Sequence, residues 1–334
     1  MFFDVTALGL LYTYKCNFSC RHCSIGAGPH HSEVLPTEYI EKVIREASEI
    51  ATIQVIAITG GEPTLLPKHL ELAIKTAHDY GFTVRLITNA WWAGTLERAR
   101  ASVRKWASLG LEELNVSYDD FHAEFLSMYG GENNVLNAVK AALEEGLRVA
   151  IAVTKTLSSR ITGEYVRERL SDLSGDVLII EDFISPTSRA SVLYDKASMR
   201  APLVGGCAYA GAEISVHPNG DVAFCCGHII ADPASGWFTR VGNIKREHLW
   251  DVVDRIRRNA LIWYLRLLGP HALVRKFNEG EEVKHMCHAC HLLATKYWGA
   301  LAALGKQGLL SDLKSALRGL HVRVLGQQVG APNS

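Results

Sequence analysis

Cys16-Asn17-Phe18-Ser19-Cys20-Arg21-His22-Cys23 puts three cysteines on one short loop. The β-rich segment 5–13 precedes this loop and the helical pattern 36–51 follows it. Outward from there the same rhythm repeats. Further strands are expected at 53–59, 83–88, 113–117, 148–154 and 176–183, with helices at 67–80, 96–109, 133–145 and 163–173. Pro36-Thr37-Glu38 opens one helix, and Gly81, Gly110 and Gly146 follow others as left-handed terminators. Strands alternating with helices in this way make a parallel sheet of βα units. The expected fold class is therefore α/β, a partial (β/α)6 TIM-like barrel with a small cysteine-rich C-terminal region. The texture changes after Ser185. The expected division is a barrel over 1–190, a cysteine-bearing domain over 191–300 and a helical tail over 301–334.

The chain of 334 residues has 48% hydrophobic residues, enough for one large core with an appendage. Lys+Arg and Asp+Glu both total 35, so no overall basic charge points to nucleic acid. The N-terminus lacks the basic and apolar segments of a secretory signal, and the apolar stretch 261–274 is interrupted by Arg266, Gly269, Pro270 and His271. A cytoplasmic protein without a membrane partner is expected. The eight cysteines fall into three groups, Cys16/20/23, Cys207/225/226 and Cys287/290, a clustering that favours metal ligation over disulfides.

Three thiolates on a tight loop can hold three irons of a cubane and leave the fourth open to another ligand. Zinc would need a fourth protein ligand, for which His22, His30 or His31 is available. At the end of the second strand, Thr59-Gly60-Gly61-Glu62-Pro63 supplies two glycines that allow close backbone approach and one carboxylate. The cysteine loop, CxxxCxΦC with His22 at Φ, and the Gly-Gly-Glu-Pro run one βα unit later resemble the radical SAM superfamily. That resemblance implies a 4Fe–4S cluster on Cys16, Cys20 and Cys23, with S-adenosylmethionine (SAM) bound at its open iron. It also implies that Gly60, Gly61, Glu62 and Pro63 hold the methionine end of SAM, Glu62 meeting its ammonium. Asn89, Ser117, Asp119 and Thr154, at the strand ends on the rim, are further SAM candidates. His122, Glu124 and Trp91-Trp92 are candidates to face substrate, with aromatic packing the alternative for the tryptophans.

Cys207-x12-Gly220-x4-Cys225, followed by Val241-Gly242-Asn243-Ile244, resembles the SPASM and twitch extensions of that superfamily. His217-Pro218-Asn219-Gly220-Asp221 reads as a tight turn between two short strands. With Cys287-His288-Ala289-Cys290, the resemblance implies one auxiliary 4Fe–4S cluster on Cys207, Cys225, Cys287 and Cys290. A zinc ribbon is the alternative. Cys226 is left over: were 225 and 226 on a strand, their side chains would point to opposite faces. It is then a small buried hydrophobe, an alternative ligand in place of Cys225, or a free thiol for chemistry.

The resemblance to radical SAM enzymes of ribosomal peptide maturation, and within them to peptide epimerases, rests on this one-cluster layout. It rests also on Cys226 and on the segments Thr88-Asn89-Ala90-Trp91-Trp92-Ala93 and Ser117-Tyr118-Asp119-Asp120-Phe121-His122. It implies L-to-D epimerisation, with α-hydrogen abstraction by a 5′-deoxyadenosyl radical and hydrogen return from Cys226. The expected partners are a ribosomally synthesised precursor peptide and an electron donor such as flavodoxin or ferredoxin. Peptide cross-linking through a thioether or C–C bond is the second enzymatic reading, and a non-catalytic iron–sulfur or zinc protein the third. The first expected strand starts almost at Met1, so precursor recognition is expected from the barrel, the C-terminal segment or another protein.

Overall fold

A computed structural model of the chain describes residues 4–185, 187–193, 203–226, 231 and 234–329. Its first part runs β1 (Ala7–Leu11), α1 (Thr37–Ser48), β2 (Val55–Thr59), α2 (Pro67–Asp79), β3 (Thr83–Thr88) and α3 (Leu96–Ser108). β4 (Glu113–Ser117), α4 (Asp120–Leu126), α5 (Glu132–Glu144), β5 (Arg148–Lys155), α6 (Gly163–Arg169) and β6 (Val177–Phe183) follow. The expected strands and helices of the barrel are all present. The sequence pattern missed α4, whose seven residues are too few to show a helical period.

Strand alternation builds the two faces of the sheet. Leu8, Leu10, Ile56, Ile58, Val84, Leu86, Leu114, Val116 and Ile151 are all fully buried. They belong to one core with Ile40, Val43 and Ile44 of α1, Leu70 and Ile74 of α2, Val103 of α3 and Val139 of α5. The alternate residues are mostly smaller or polar: Thr59, Asn115, Ser117, Ala152 and Thr154 line one cavity, with Leu11 and Ile87 among them. An inner face of this kind cannot fill a barrel with side chains, which leaves room for ligands.

β1 to β6 pair in parallel in sequence order. β7 (Glu213–Val216), β8 (Asp221–Ala223) and β9 (Arg240–Asn243) extend the same sheet, in the order β6-β5-β4-β3-β2-β1-β7-β8-β9. β7 is parallel to β1, and β8 and β9 continue antiparallel, so the sheet runs across residue 190 without a break. The turn expected at 217–221 joins β7 to β8, with His217 N–H donating to the Asp221 carbonyl at 2.9 Å. Five further helices follow, Leu249–Arg257, Ala260–Leu267, Pro270–Phe277, Met286–Thr295 and Trp298–Val329, the last interrupted at Gly305. Among the described residues no helix is long and apolar enough to cross a membrane.

Two contacts fix this arrangement. Glu46 of α1, 3% exposed, accepts from Lys42 Nζ at 3.0 Å and from the Leu249 N–H at 2.9 Å. Lys42 Nζ also donates to the Ile244 carbonyl at 2.9 Å, so one buried pair ties the barrel to the C-terminal helices. At the barrel mouth, Gly61 N–H donates to the Thr13 carbonyl and Glu62 N–H to the Lys15 carbonyl, each at 2.8 Å. A Cβ on Gly61 would lie 2.1 Å from the Lys15 carbonyl oxygen, and Gly60 has φ +137° with its own Cβ position 2.5 Å from the Thr13 oxygen. Only glycine lets the end of β2 dock on the cysteine loop.

Gly61→Ala is expected to lower the free energy of unfolding by about 1–3 kcal/mol, the usual cost of overpacking against atoms that cannot yield. Glu46→Ala is expected to cost about 1–3 kcal/mol by leaving the buried Leu249 N–H without its acceptor and Lys42 without its carboxylate. Urea titration of each variant beside the parent protein measures both, and an unchanged midpoint contradicts the contact concerned.

Candidate functional site

The loop 14–28 carries the first three cysteines and is braced along its length. Cys16 N–H donates to the Gly28 carbonyl and Gly28 N–H to the Tyr14 carbonyl, both at 3.1 Å. The Cys23 N–H closes a turn on the Cys20 carbonyl at 3.1 Å. Arg189, between β6 and the C-terminal region, donates to the carbonyls of Cys20, Gly26 and Ala27. This guanidinium clamp was invisible in the sequence, because Arg189 belongs to no motif. Burial pushes the Cys16 thiol up to about 12 and the Cys20 thiol up as well, with neighbouring acidic groups adding to the shift. The thiols therefore stay protonated until a metal displaces their protons.

Cys16, Cys20 and Cys23 face a cavity of about 580 Å³, which Gly60, Gly61, Asn89, Ser117, Asp119 and Thr154 also line. The structure thus brings together most residues expected at the SAM site. Two of them act differently from the expectation. Glu62 is fully buried, and protein donors take its carboxylate: Thr64 N–H at 3.1 Å, Thr64 Oγ1 at 2.6 Å, Thr88 Oγ1 at 2.8 Å and Asn89 N–H at 2.8 Å. The motif therefore turns its Gly60–Gly61 backbone to the cavity, while the Glu62 carboxylate staples the ends of β2 and β3. Pro63 opens the short turn after it, and its carbonyl accepts from the Tyr12 hydroxyl at 2.7 Å.

Asp119 is also internal to the protein. It caps α4, accepting from the N–H groups of Phe121 and His122 and from His122 Nδ1 at 2.9 Å, and its other oxygen accepts from Thr154 N–H at 3.3 Å. Burial favours its neutral form, but His122, His22 and these hydrogen bonds outweigh that and hold the carboxyl well below its usual range. His22, at the motif's aromatic position, stacks on Phe121 with ring centroids 4.6 Å apart. Burial lowers His22 to about 4, so its 3.4 Å approach to Asp119 is a contact of a neutral ring rather than an ion pair. Glu124 is exposed and lies 3.8 Å from Arg21. Trp91 and Trp92 donate their indole N–H groups to Thr64 and Thr88, which makes them part of the wall behind Glu62.

Two uncharged side chains of the cavity wall hold a buried atom with no hydrogen-bond partner among the described residues, His22 Nδ1 and Asn115 Oδ1, while Arg85 Nε on the same wall has only its ion pair with Glu113. Such orphans carry a cost unless a ligand satisfies them. SAM carries polar groups that can meet both, so the cavity fits it in volume and in chemistry. Asn115 went unremarked in the sequence, although the period of β4 puts it on the same face as Ser117.

On the auxiliary side, Cys207, Cys226 and Cys287 line the same cavity. Burial pushes the Cys207, Cys287 and Cys290 thiols up, and for all three Cys226 adds to the shift. This corrects one premise. β8 ends at Ala223, so strand alternation does not govern residues 225 and 226, and Cys226 lies within electrostatic reach of Cys207, Cys287 and Cys290. The Cys225 carbonyl accepts from Ser215 Oγ at 3.0 Å.

Comparison with known proteins agrees with this geometry. Residues 10–171 match the radical SAM superfamily, and residues 207–291 match the SPASM iron–sulfur cluster-binding domain. YydG of Bacillus subtilis (strain 168), named for peptide biosynthesis, is 24% identical over 300 residues, which are 83% of this chain and 88% of YydG. A GTP 3′,8-cyclase of Actinobacillus pleuropneumoniae serotype 5b (strain L20) is 32% identical over 162 residues, 46% of this chain and 45% of the cyclase. Native anSMEcpe, solved with bound AdoMet and Cp18Cys peptide, superposes with a TM-score of 0.51 at 15% identity, covering 78% of this chain and 82% of that one. The chain belongs to the radical SAM superfamily and carries a SPASM-type C-terminal region, so its cofactors are SAM and 4Fe–4S clusters.

Proposed function

We propose that this chain is a peptide epimerase of ribosomal peptide maturation, with Cys16, Cys20 and Cys23 holding the SAM-cleaving cluster and Cys226 returning hydrogen. One observation carries the reading: Cys226 and the three cysteines of the first loop line a single cavity. SAM bound at a reduced cluster on Cys16, Cys20 and Cys23 would supply a 5′-deoxyadenosyl radical able to take hydrogen from an unactivated C–H bond. The chain's own residues then decide the product. The Gly60–Gly61 backbone, Asn89, Ser117 and Thr154 hold SAM, and Asp119 orients His22 and His122 at its edge. Cys226 gives its S–H hydrogen to the substrate α-carbon. Cys207, Cys225, Cys287 and Cys290 are the proposed ligands of the auxiliary cluster. An auxiliary cluster on these cysteines would supply the electron, resupplied by a flavodoxin- or ferredoxin-class donor, and solvent the proton, that restore the thiol.

The similarity to YydG, named for peptide biosynthesis, and to anSMEcpe, solved with a peptide, supports a peptide substrate. The nearness of Cys226 to Cys207, Cys287 and Cys290 favours a second reading, in which Cys226 replaces Cys225 as a ligand and the enzyme cross-links its peptide.

Anaerobically reconstituted protein is expected to hold about eight irons in two cubanes; zinc in the C-terminal site contradicts this. Cys226→Ala is expected to keep both clusters and to cleave SAM while forming no D-residue. In D2O the parent enzyme is expected to add one deuterium per epimerised residue, a gain of about one mass unit, because a thiol proton exchanges with solvent. Loss of about four irons in Cys226→Ala supports the ligand reading. A product about two mass units light identifies a cross-linker instead, since two hydrogens leave with each new bond.

A further inference from the structure

We infer that Tyr14, His217 and Ser215 form a positioning relay that fixes the Cys225–Cys226 segment relative to the first cysteine loop and so sets where the Cys226 thiol stands in the cavity. The inference rests on the reading of Cys226 as hydrogen donor. None of the three residues belongs to a cysteine motif, yet they make a continuous chain between the two cysteine regions. Tyr14 lies two residues before Cys16, and its hydroxyl is 2.6 Å from His217 Nδ1. His217 Nε2 is 3.0 Å from Ser215 Oγ, which is 3.0 Å from the Cys225 carbonyl oxygen.

Chemistry fixes the direction of this chain. A carbonyl can only accept, so the single hydroxyl proton of Ser215 goes to Cys225. Ser215 Oγ must then accept from His217, which places the imidazole proton on Nε2. Burial lowers His217 to about 3, so the ring is neutral and Nδ1 is free to accept from the Tyr14 hydroxyl. Asp221 and Arg240 are the charged groups that act on this ring, with opposite effects. Ser215 and His217 are both buried, which makes an unpaired member of the chain costly and the chain itself well defined.

The position of the carbonyl gives the relay its purpose. The β7–β8 ladder ends with Ser215 opposite Ala223, so residues 225 and 226 lie beyond sheet pairing. Phe224 is still anchored, its N–H on the Thr239 carbonyl at 3.0 Å and its own carbonyl on Gly211 N–H at 2.7 Å. The next carbonyl belongs to the peptide joining Cys225 to Cys226. Its plane sets the direction in which the chain leaves Cys225, and Ser215 holds it. At the far end, the Tyr14 carbonyl accepts from Gly28 N–H at 3.1 Å, which binds the relay into the first cysteine loop.

Ser215→Ala removes the last donor with little change in volume, and Tyr14→Phe removes the first with none in the ring. Each reconstituted variant is expected to keep both clusters and to cleave SAM. The amount of 5′-deoxyadenosine released per D-residue is expected to rise about two- to tenfold, the range that one neutral hydrogen bond supplies. The electron paramagnetic resonance signal of the reduced auxiliary cluster, the component that SAM addition leaves unchanged, is expected to shift in Ser215→Ala. Ser215→Thr, which keeps the hydroxyl, is expected to restore both. An unaltered coupling ratio in Ser215→Ala and Tyr14→Phe overturns the relay, as does Ser215→Thr behaving like Ser215→Ala. Formation of the D-residue by Cys226→Ala removes the donor reading by itself; the relay is then judged on the spectrum, and an unshifted auxiliary signal in Ser215→Ala overturns it.

Discussion

The docking of the Gly60–Gly61–Glu62 backbone on the carbonyls of Thr13 and Lys15 is the constraint on which the site depends. It joins the end of β2 to the loop after β1 with hydrogen bonds of 2.8 Å and leaves no space for a side chain. The Glu62 carboxylate completes the joint from behind by collecting donors from Thr64, Thr88 and Asn89. Asn89 then reaches the loop from the other side, with Nδ2 on Asn17 Oδ1 at 3.1 Å. Three consecutive strand ends are thereby fixed to one another before any ligand binds. Preorganisation of this kind is what a site needs if it is to hold a reactive group without paying for reordering at each turnover.

A second consequence follows from the place of β7 beside β1. An open six-stranded sheet leaves the flank of β1 unpaired, and a free strand edge there would expose backbone donors and acceptors next to the cysteine loop. β7 pairs with β1 over Ala7–Leu10 and covers that edge. The antiparallel return of β8 then brings the chain back down from the mouth, so that Cys226 comes to line the same cavity as the first loop. The barrel and the auxiliary region are thus joined through one sheet, and strand residues such as Asn115, Ser117 and Thr154 line the cavity together with the cysteine loops.

Much of this was legible in the sequence, for physical reasons that also mark where legibility stopped. The outward faces of the strands carry runs such as Val84, Leu86 and Leu114, Val116, and the period of two identifies them with no other information. The cysteine loop and the Gly-Gly-Glu-Pro run carried their own spacing. What could not be read is the direction of a side chain that has several partners. Glu62 has the charge to meet an ammonium, but Thr88 and Asn89 arrive from another strand, and nothing local shows that they claim its carboxylate. Asp119 was similarly hidden: α4 has only seven residues, so the cap it needs did not announce itself. Arg189 acts on backbone carbonyls, which carry no sequence signal at all. For Cys226 the reading relied on strand geometry two residues past the point where the strand ends.

These departures share a direction that bears on mechanism. In the cavity wall, the carboxylates that motif reasoning directed at the cofactor are engaged within the protein: Glu62 by hydroxyls and two backbone amides, Asp119 by His122 and the first N–H groups of α4. The unpartnered atoms of His22 and Asn115 are uncharged, an imidazole nitrogen and an amide oxygen. A site for radical chemistry gains from this arrangement. A carbon-centred radical has little charge to stabilise, so strong fields in the wall would contribute little to the transition state, while a free carboxylate or amine would compete for protons and water. The same logic explains why a thiol suits the far wall. Its S–H bond is weak enough to give up hydrogen to a carbon-centred radical, and that hydrogen carries no charge into the wall.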